Sequence, residues 1–173
     1  MKNLNKLIIF ISLLIIGFVI AIIILSWPLL TGKTFVLATA PVDPFDVLRG
    51  QYITISYEIS RLTNIPGISE SDMGDYVYVV LEKDSSGIAR AKEVLLEKPE
   101  GNFIRGKTKN VFGNSAIVEY GIEQFFFERG ATFSMRNITV EVKISNSGQA
   151  RISKILQDGK PLDITYRKVS ITS

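Results

Sequence analysis

The sequence predicts a mainly β protein: an N-terminal transmembrane helix followed by one compact antiparallel β domain of barrel or sandwich type. Three observations predict it. Leu7 to Gly32 are 26 consecutive positions without a charge, dense in Leu and Ile. From Thr34 onward the apolar pattern repeats every two residues, the spacing of a strand with one buried face. Gly, Pro, Asn and Asp divide that pattern into short runs, as in all-β chains.

The first element is the span. At about 1.5 Å of rise per residue, roughly 20 apolar residues cross the hydrocarbon core, and a lone lipid-exposed segment satisfies its backbone only as a helix. Residues 7–30 are therefore expected to cross a lipid bilayer, with Trp27 and Pro28 at the outer interface. Lys2 and Lys6 precede the span without an acid and Lys33 follows it, which favours a single-pass protein of the cell membrane with a cytoplasmic N-terminus. Ala38-Thr39-Ala40 has the small-x-small form that signal peptidases accept. The apolar run is longer than a signal-peptide core, the Ala-x-Ala lies beyond its end, and Pro41 would follow the cut, so the span is read as a retained anchor. The expected organisation is 1–33 as N-terminus and anchor and 34–173 as the extracytoplasmic domain.

In that domain strands are expected at Thr34–Thr39, Gln51–Glu58, Asp75–Lys83, Glu93–Glu97, Asn102–Lys107 and Ser115–Tyr120. The alternation Ile138, Val140, Val142, Ile144 against Thr139, Glu141, Lys143 is the clearest. Ser145-Asn146-Ser147-Gly148 then turns the chain into a partner strand, Gln149 to Leu156. A turn at Asp158-Gly159 is expected to extend this hairpin into a meander through Leu162, Ile164 and Tyr166. Asp75–Lys83 is apolar on both faces and is expected to be covered on both. Short helical turns are expected around Ile59–Asn64 and Ile122–Phe127.

Charge and composition exclude more chemistry than they suggest. Of 20 basic and 17 acidic residues, three Lys lie in 1–33, so the remainder is neutral and has no basic stripe for nucleic acid. Without His or Cys the chain cannot build Ser-His-Asp or Cys-His sites, disulfides or the ordinary zinc ligand sets. No catalytic residue, cofactor-binding residue or metal ligand is assigned. Carboxylate pairs survive as a catalytic class, with Asp43 and Asp46 or Glu119 and Glu123 as the candidates, as does a Ser-Lys dyad with Ser134 a faint match.

The most distinctive stretch after the span is Pro41-Val42-Asp43-Pro44-Phe45-Asp46-Val47-Leu48-Arg49-Gly50-Gln51-Tyr52-Ile53-Thr54-Ile55-Ser56-Tyr57. It resembles the GDYXXLXY family, whose name describes the run here written Gly50 to Tyr57. Gly74 to Leu81 resembles the family's second strand, and Tyr120-Gly121-Ile122-Glu123-Gln124-Phe125-Phe126 its Tyr-Gly-Ile-Glu segment. Gln51 replaces the family's Asp, and Phe127-Glu128-Arg129-Gly130 lacks its Pro-Glu-Gly turn. The resemblance implies a small membrane-anchored bacterial protein, in some cases associated with a multi-spanning membrane protein. It implies no activity and no cofactor.

The candidate contact residues are Asp43, Arg49, Gly50, Tyr52, Tyr57, Glu123 and Phe126. By alternation Ile53, Ile55 and Tyr57 share one strand face, expected to be core, and Tyr52, Thr54 and Ser56 share the other. Phe125, Phe126 and Phe127 cannot all face one side of a strand, so at least one is expected to be exposed to a membrane or partner. The expected function is a non-enzymatic accessory or interaction subunit of the cell envelope. A carboxylate-dependent envelope hydrolase and a small-ligand-binding β-barrel are the alternatives.

Arg49 either binds the Asp43 or Asp46 carboxylate or serves a partner. If it is structural, Arg49→Ala should lower stability by about 1–3 kcal/mol in urea titration. If it serves a partner, the variant should unfold like wild type and lose co-purification. Unchanged stability and unchanged co-purification would dismiss both.

Overall fold

The computed structural model describes residues 2–40, 52–127, 131–132 and 136–166. Helix α1 covers Lys2–Thr31. Within it, Leu4–Ser26 is long and apolar enough to cross a membrane, and none of that stretch is buried against the rest of the chain. Its apolar residues surround the whole circumference, which suits lipid rather than a protein core.

Gly32 alone separates α1 from β1 (Lys33–Ala38). The other strands are β2 (Tyr52–Thr54), β3 (Arg61–Leu62), β4 (Tyr76–Lys83), β5 (Ile88–Leu95), β6 (Phe103–Phe112), β7 (Ser115–Glu119), β8 (Gln124–Phe126), β9 (Ala131–Thr132), β10 (Ile138–Ile144), β11 (Ala150–Gln157), β12 (Lys160–Pro161) and β13 (Thr165–Tyr166). Nine of them form one sheet in the order β12-β11-β10-β1-β5-β4-β6-β7-β3, and β2-β8 and β13-β9 form separate pairs. The sheet is antiparallel except where β1 runs parallel to β5, with Val36 beside Ile88 and Leu37 beside Ala89. Among the described strands that is the single parallel pairing. The first strand fills a slot between a strand from late in the chain and one from the middle, so its neighbours need not be hairpin partners.

The sheet does not close into a barrel. Bulges at Val80/Leu81, Thr108/Asn110 and Glu141/Val142 accompany its bending. At the α1 end, the Ser145–Gly148 turn of the β10-β11 hairpin reaches the edge of β6 that β7 leaves open, and Arg105 N–H donates to the Gly148 carbonyl at 2.8 Å. Leu37, Val77, Val79, Ile104, Val118, Val140 and Val142 fill the space enclosed, joined by Ile53 and Ile55. Each such side chain contributes about 1.5–3 kcal/mol of burial.

Several expectations are corrected. Ile122–Phe127 holds β8 rather than a helical turn, because Phe125 pairs with Ile53 across a two-stranded ladder. Ile59–Asn64 begins as a 3-10 turn at Glu58–Ser60 and passes directly into β3. The Asp158-Gly159 turn does extend the hairpin into a short meander, with β12 beside β11 and the Leu162 N–H donating to the Ile155 carbonyl at 2.9 Å, but beyond Leu162 the expected continuation is corrected: β13 pairs with β9. In β4, Val77, Val79 and Leu81 are buried, but Tyr76 is exposed. That face is only partly covered, by Arg105 over the Tyr76 ring at 4.4 Å and by an edge-on contact of Tyr78 with Phe103 at 5.7 Å.

The hairpin tip depends on Gly148, which has φ +81° and no room for a side chain. An added Cβ would lie 2.6 Å from Phe103 Cε2 and 2.9 Å from Arg105 N. Gly148→Ala should therefore cost about 1–3 kcal/mol in urea unfolding, from strain and overpacking together. Wild-type stability would show that the tip moves freely.

Candidate functional site

Two segments far apart in sequence are tied together by a reciprocal pair of tyrosines. Tyr57, at the end of the β2 run, is 1% exposed and donates its hydroxyl to the Ile122 carbonyl at 2.7 Å. Tyr120 donates its hydroxyl to the Ile59 carbonyl at 2.5 Å. The Tyr120 ring has space because β6 carries Gly106, where any Cβ would overlap Val118 and that ring. Glu123 completes the junction: its Oε1 accepts the Tyr120 N–H at 2.5 Å, and its carbonyl accepts the Ile55 N–H at 2.6 Å. Burial chiefly, and the nearby Glu123 carboxylate second, push both tyrosine hydroxyls above their ordinary range. Both therefore remain neutral donors at any ordinary pH.

The tyrosines clasped here end the first and begin the last of the segments singled out in the sequence, and a family model described as GDYXXLXY protein matches residues 14–155. The chain belongs to the GDYXXLXY family. Neither curated proteins nor solved structures gave a match. In this GDYXXLXY protein the second motif tyrosine is thus a core anchor, and Glu123 serves the backbone of its own segment.

Of the other sequence candidates, Asp43, Arg49 and Gly50 lie outside the described residues, as do Asp46 and Ser134. The side chain of Tyr52 is likewise outside the described part, and its backbone pairs with Phe126. Phe126 is 66% exposed, while Phe125 and Phe127 pack partly buried against the core, as their alternation requires. Ile53, Ile55 and Tyr57 all face the core.

Beside the clasp, where the sheet stays open, lies a groove of about 300 Å³ lined by Tyr76, Arg105, Lys107, Glu119, Tyr120, Gly121, Glu123, Gln149 and Arg151. It brings together Glu119 and Glu123, the second carboxylate pair. Neither acid stands alone: Glu123 accepts the Tyr120 N–H, and the Glu119 oxygens lie 3.2 and 3.3 Å from Lys109 Nζ. The basic residues of the groove were not among the sequence candidates. Arg105 and Lys107 alternate on one face of β6, but Arg151 joins them only through the fold of the β10-β11 hairpin. Spacing along the chain carries no trace of that meeting.

Removing either tyrosine hydroxyl leaves a buried carbonyl without its donor. Tyr57→Phe and Tyr120→Phe should each cost about 1–3 kcal/mol in urea unfolding. The raised hydroxyl pKa values also set a sign for alkaline pH. The unfolded tyrosines ionise near about pH 10 while the folded ones stay protonated, so stability is intact below that pH and falls as pH rises above it. The double phenylalanine variant should show a shallower alkaline decline; an equal decline would remove these hydroxyls from the cause.

Proposed function

We propose that this GDYXXLXY protein is a single-pass, membrane-anchored β domain of the bacterial cell envelope, acting as a non-enzymatic accessory or interaction subunit. What carries the reading is the junction of α1 and β1. β1 lies inside the nine-stranded sheet, paired with β10 on one side and β5 on the other. The signal-peptidase-like Ala38-Thr39-Ala40 overlaps its end, and Thr39 bridges to Tyr57. A cut after Ala40 would remove an internal strand along with the helix. Retention of the helix is thus favoured by the cost of losing Phe35 and Leu37 from the core. The connection through Gly32 then holds the domain against the membrane surface, which suits a subunit that works beside a membrane partner. Lys2 and Lys6 before the span place the domain outside the cytoplasm in this reading.

Exposed apolar side chains agree with a partner-binding role. Phe126 is 66% exposed, and Met73 and Phe112 are 61% and 62% exposed beside a groove of about 340 Å³. The carboxylate hydrolase has one observation in its favour, the shared groove of Glu119 and Glu123. It weighs less because both acids already have partners within the fold.

Protease added to intact spheroplasts should digest the β domain, and full protection would reverse the orientation. Crosslinking in native membranes followed by co-purification should recover a stoichiometric membrane protein. A protein recovered alone, and released in soluble form after cleavage near residue 40, would refute the accessory reading.

A further inference from the structure

The groove at the open seam of the sheet carries three cations against two carboxylates, Glu119 and Glu123. Arg105, Lys107 and Arg151 all line it, and among the described residues none of them makes an ion pair. Of the acids on the same walls, Glu119 pairs with Lys109 on β6, and Glu123 accepts the Tyr120 N–H while keeping its charge, so the three cations still leave the groove lining net positive. Arg105 is steadied by the Tyr76 ring at 4.4 Å and by its own N–H bond to Gly148, and Arg151 contacts a carbonyl, that of Ala150, at 3.4 Å. Like charges around one concavity repel each other, and an oxyanion seated there converts that repulsion into charge-assisted hydrogen bonds. Gln149 adds a neutral amide to the same wall.

We propose that this groove binds a phosphate group, held by Arg105, Lys107 and Arg151. Phosphate suits the site because its charge and several acceptor oxygens match more than one cation, and arginine's planar fork binds such oxygens in pairs. Two sources share this chemistry. Arg151 is in register with Lys143, and Lys143 with Thr34, three residues beyond the end of α1. That register sets Arg151 close to the level at which α1 leaves a bilayer, so an anionic lipid headgroup is one source. A soluble phosphate compound is the other. The lipid source rests on the membrane reading above; the soluble source does not.

The test uses the full-length protein in nanodiscs of neutral phosphatidylcholine, following the amide signals of Arg105, Gln149 and Arg151 by NMR. Inorganic phosphate is titrated against chloride at constant ionic strength, and the series is repeated with phosphatidylglycerol in the nanodisc. Saturable shifts with phosphate in neutral nanodiscs support the site with a soluble source. Shifts already saturated by phosphatidylglycerol, with no further response to phosphate, support it with a lipid source. In either case Arg105→Gln and Arg151→Gln should weaken the response about tenfold, while Lys92→Gln, a cation on β5 away from the groove, should leave it unchanged. Linear, non-saturating shifts that chloride reproduces would overturn the proposal, and this wild-type comparison stands even where a variant fails to fold. Failure here leaves the anchored-subunit reading untouched, since that is judged by protease access and crosslinking.

Discussion

A strand with neighbours on both sides cannot be given up cheaply, and β1 is such a strand from the moment the chain leaves α1. Only Gly32 lies between the two, so the helix axis and the strand direction are joined within one residue. Everything assembled on β1 inherits its position: β10 and its hairpin on one edge, β5 and the β4-β6 ladder on the other. The parallel β1-β5 pairing follows from the same constraint. A strand at the start of the domain has no preceding partner with which to form a hairpin, so both its neighbours arrive later, and one of them arrives in its own direction.

The family motif acquires a physical meaning from the tyrosine clasp. β2 and β8 are each three residues long, too short to hold two segments by ladder bonds alone. Tyr57 and Tyr120 add a hydroxyl bond in each direction, both buried and therefore protected from competition by water. Gly106 is the counterpart on β6, a residue chosen by what it omits. Tyrosine is the suitable residue at both positions because it combines a large apolar ring with a single donor at its tip.

The groove lies where the clasp and the hairpin tip approach without meeting. An open seam exposes backbone and polar side chains beside a rigid core, a setting in which charged groups can be held in place without being buried. Tyr76 and Arg105 illustrate this, the ring fixing the guanidinium at the groove wall. The apolar residues Met73 and Phe112 lie near the tip of the long β6-β7 hairpin, away from the α1 end. The two surfaces therefore differ in both chemistry and position.

Local pattern was sufficient for the apolar helix, for most strands, and for the inward face of Ile53, Ile55 and Tyr57. These depend on periodicity over a few residues, which short-range sterics and burial enforce directly. The β10-β11 hairpin was legible to within a residue or so at each end because alternation and turn chemistry agreed there. Tertiary contacts decided the rest. Gln124–Phe126 is a strand only because Ile53 offers it an edge, and β13 leaves the meander because β9 supplies another partner. The meeting of Arg151 with Arg105 and Lys107 depends on how far a bulged sheet bends, a property of the whole set of strands. No segment of the sequence carries it, since the angle accumulates over strands whose neighbours are fixed by long-range pairing.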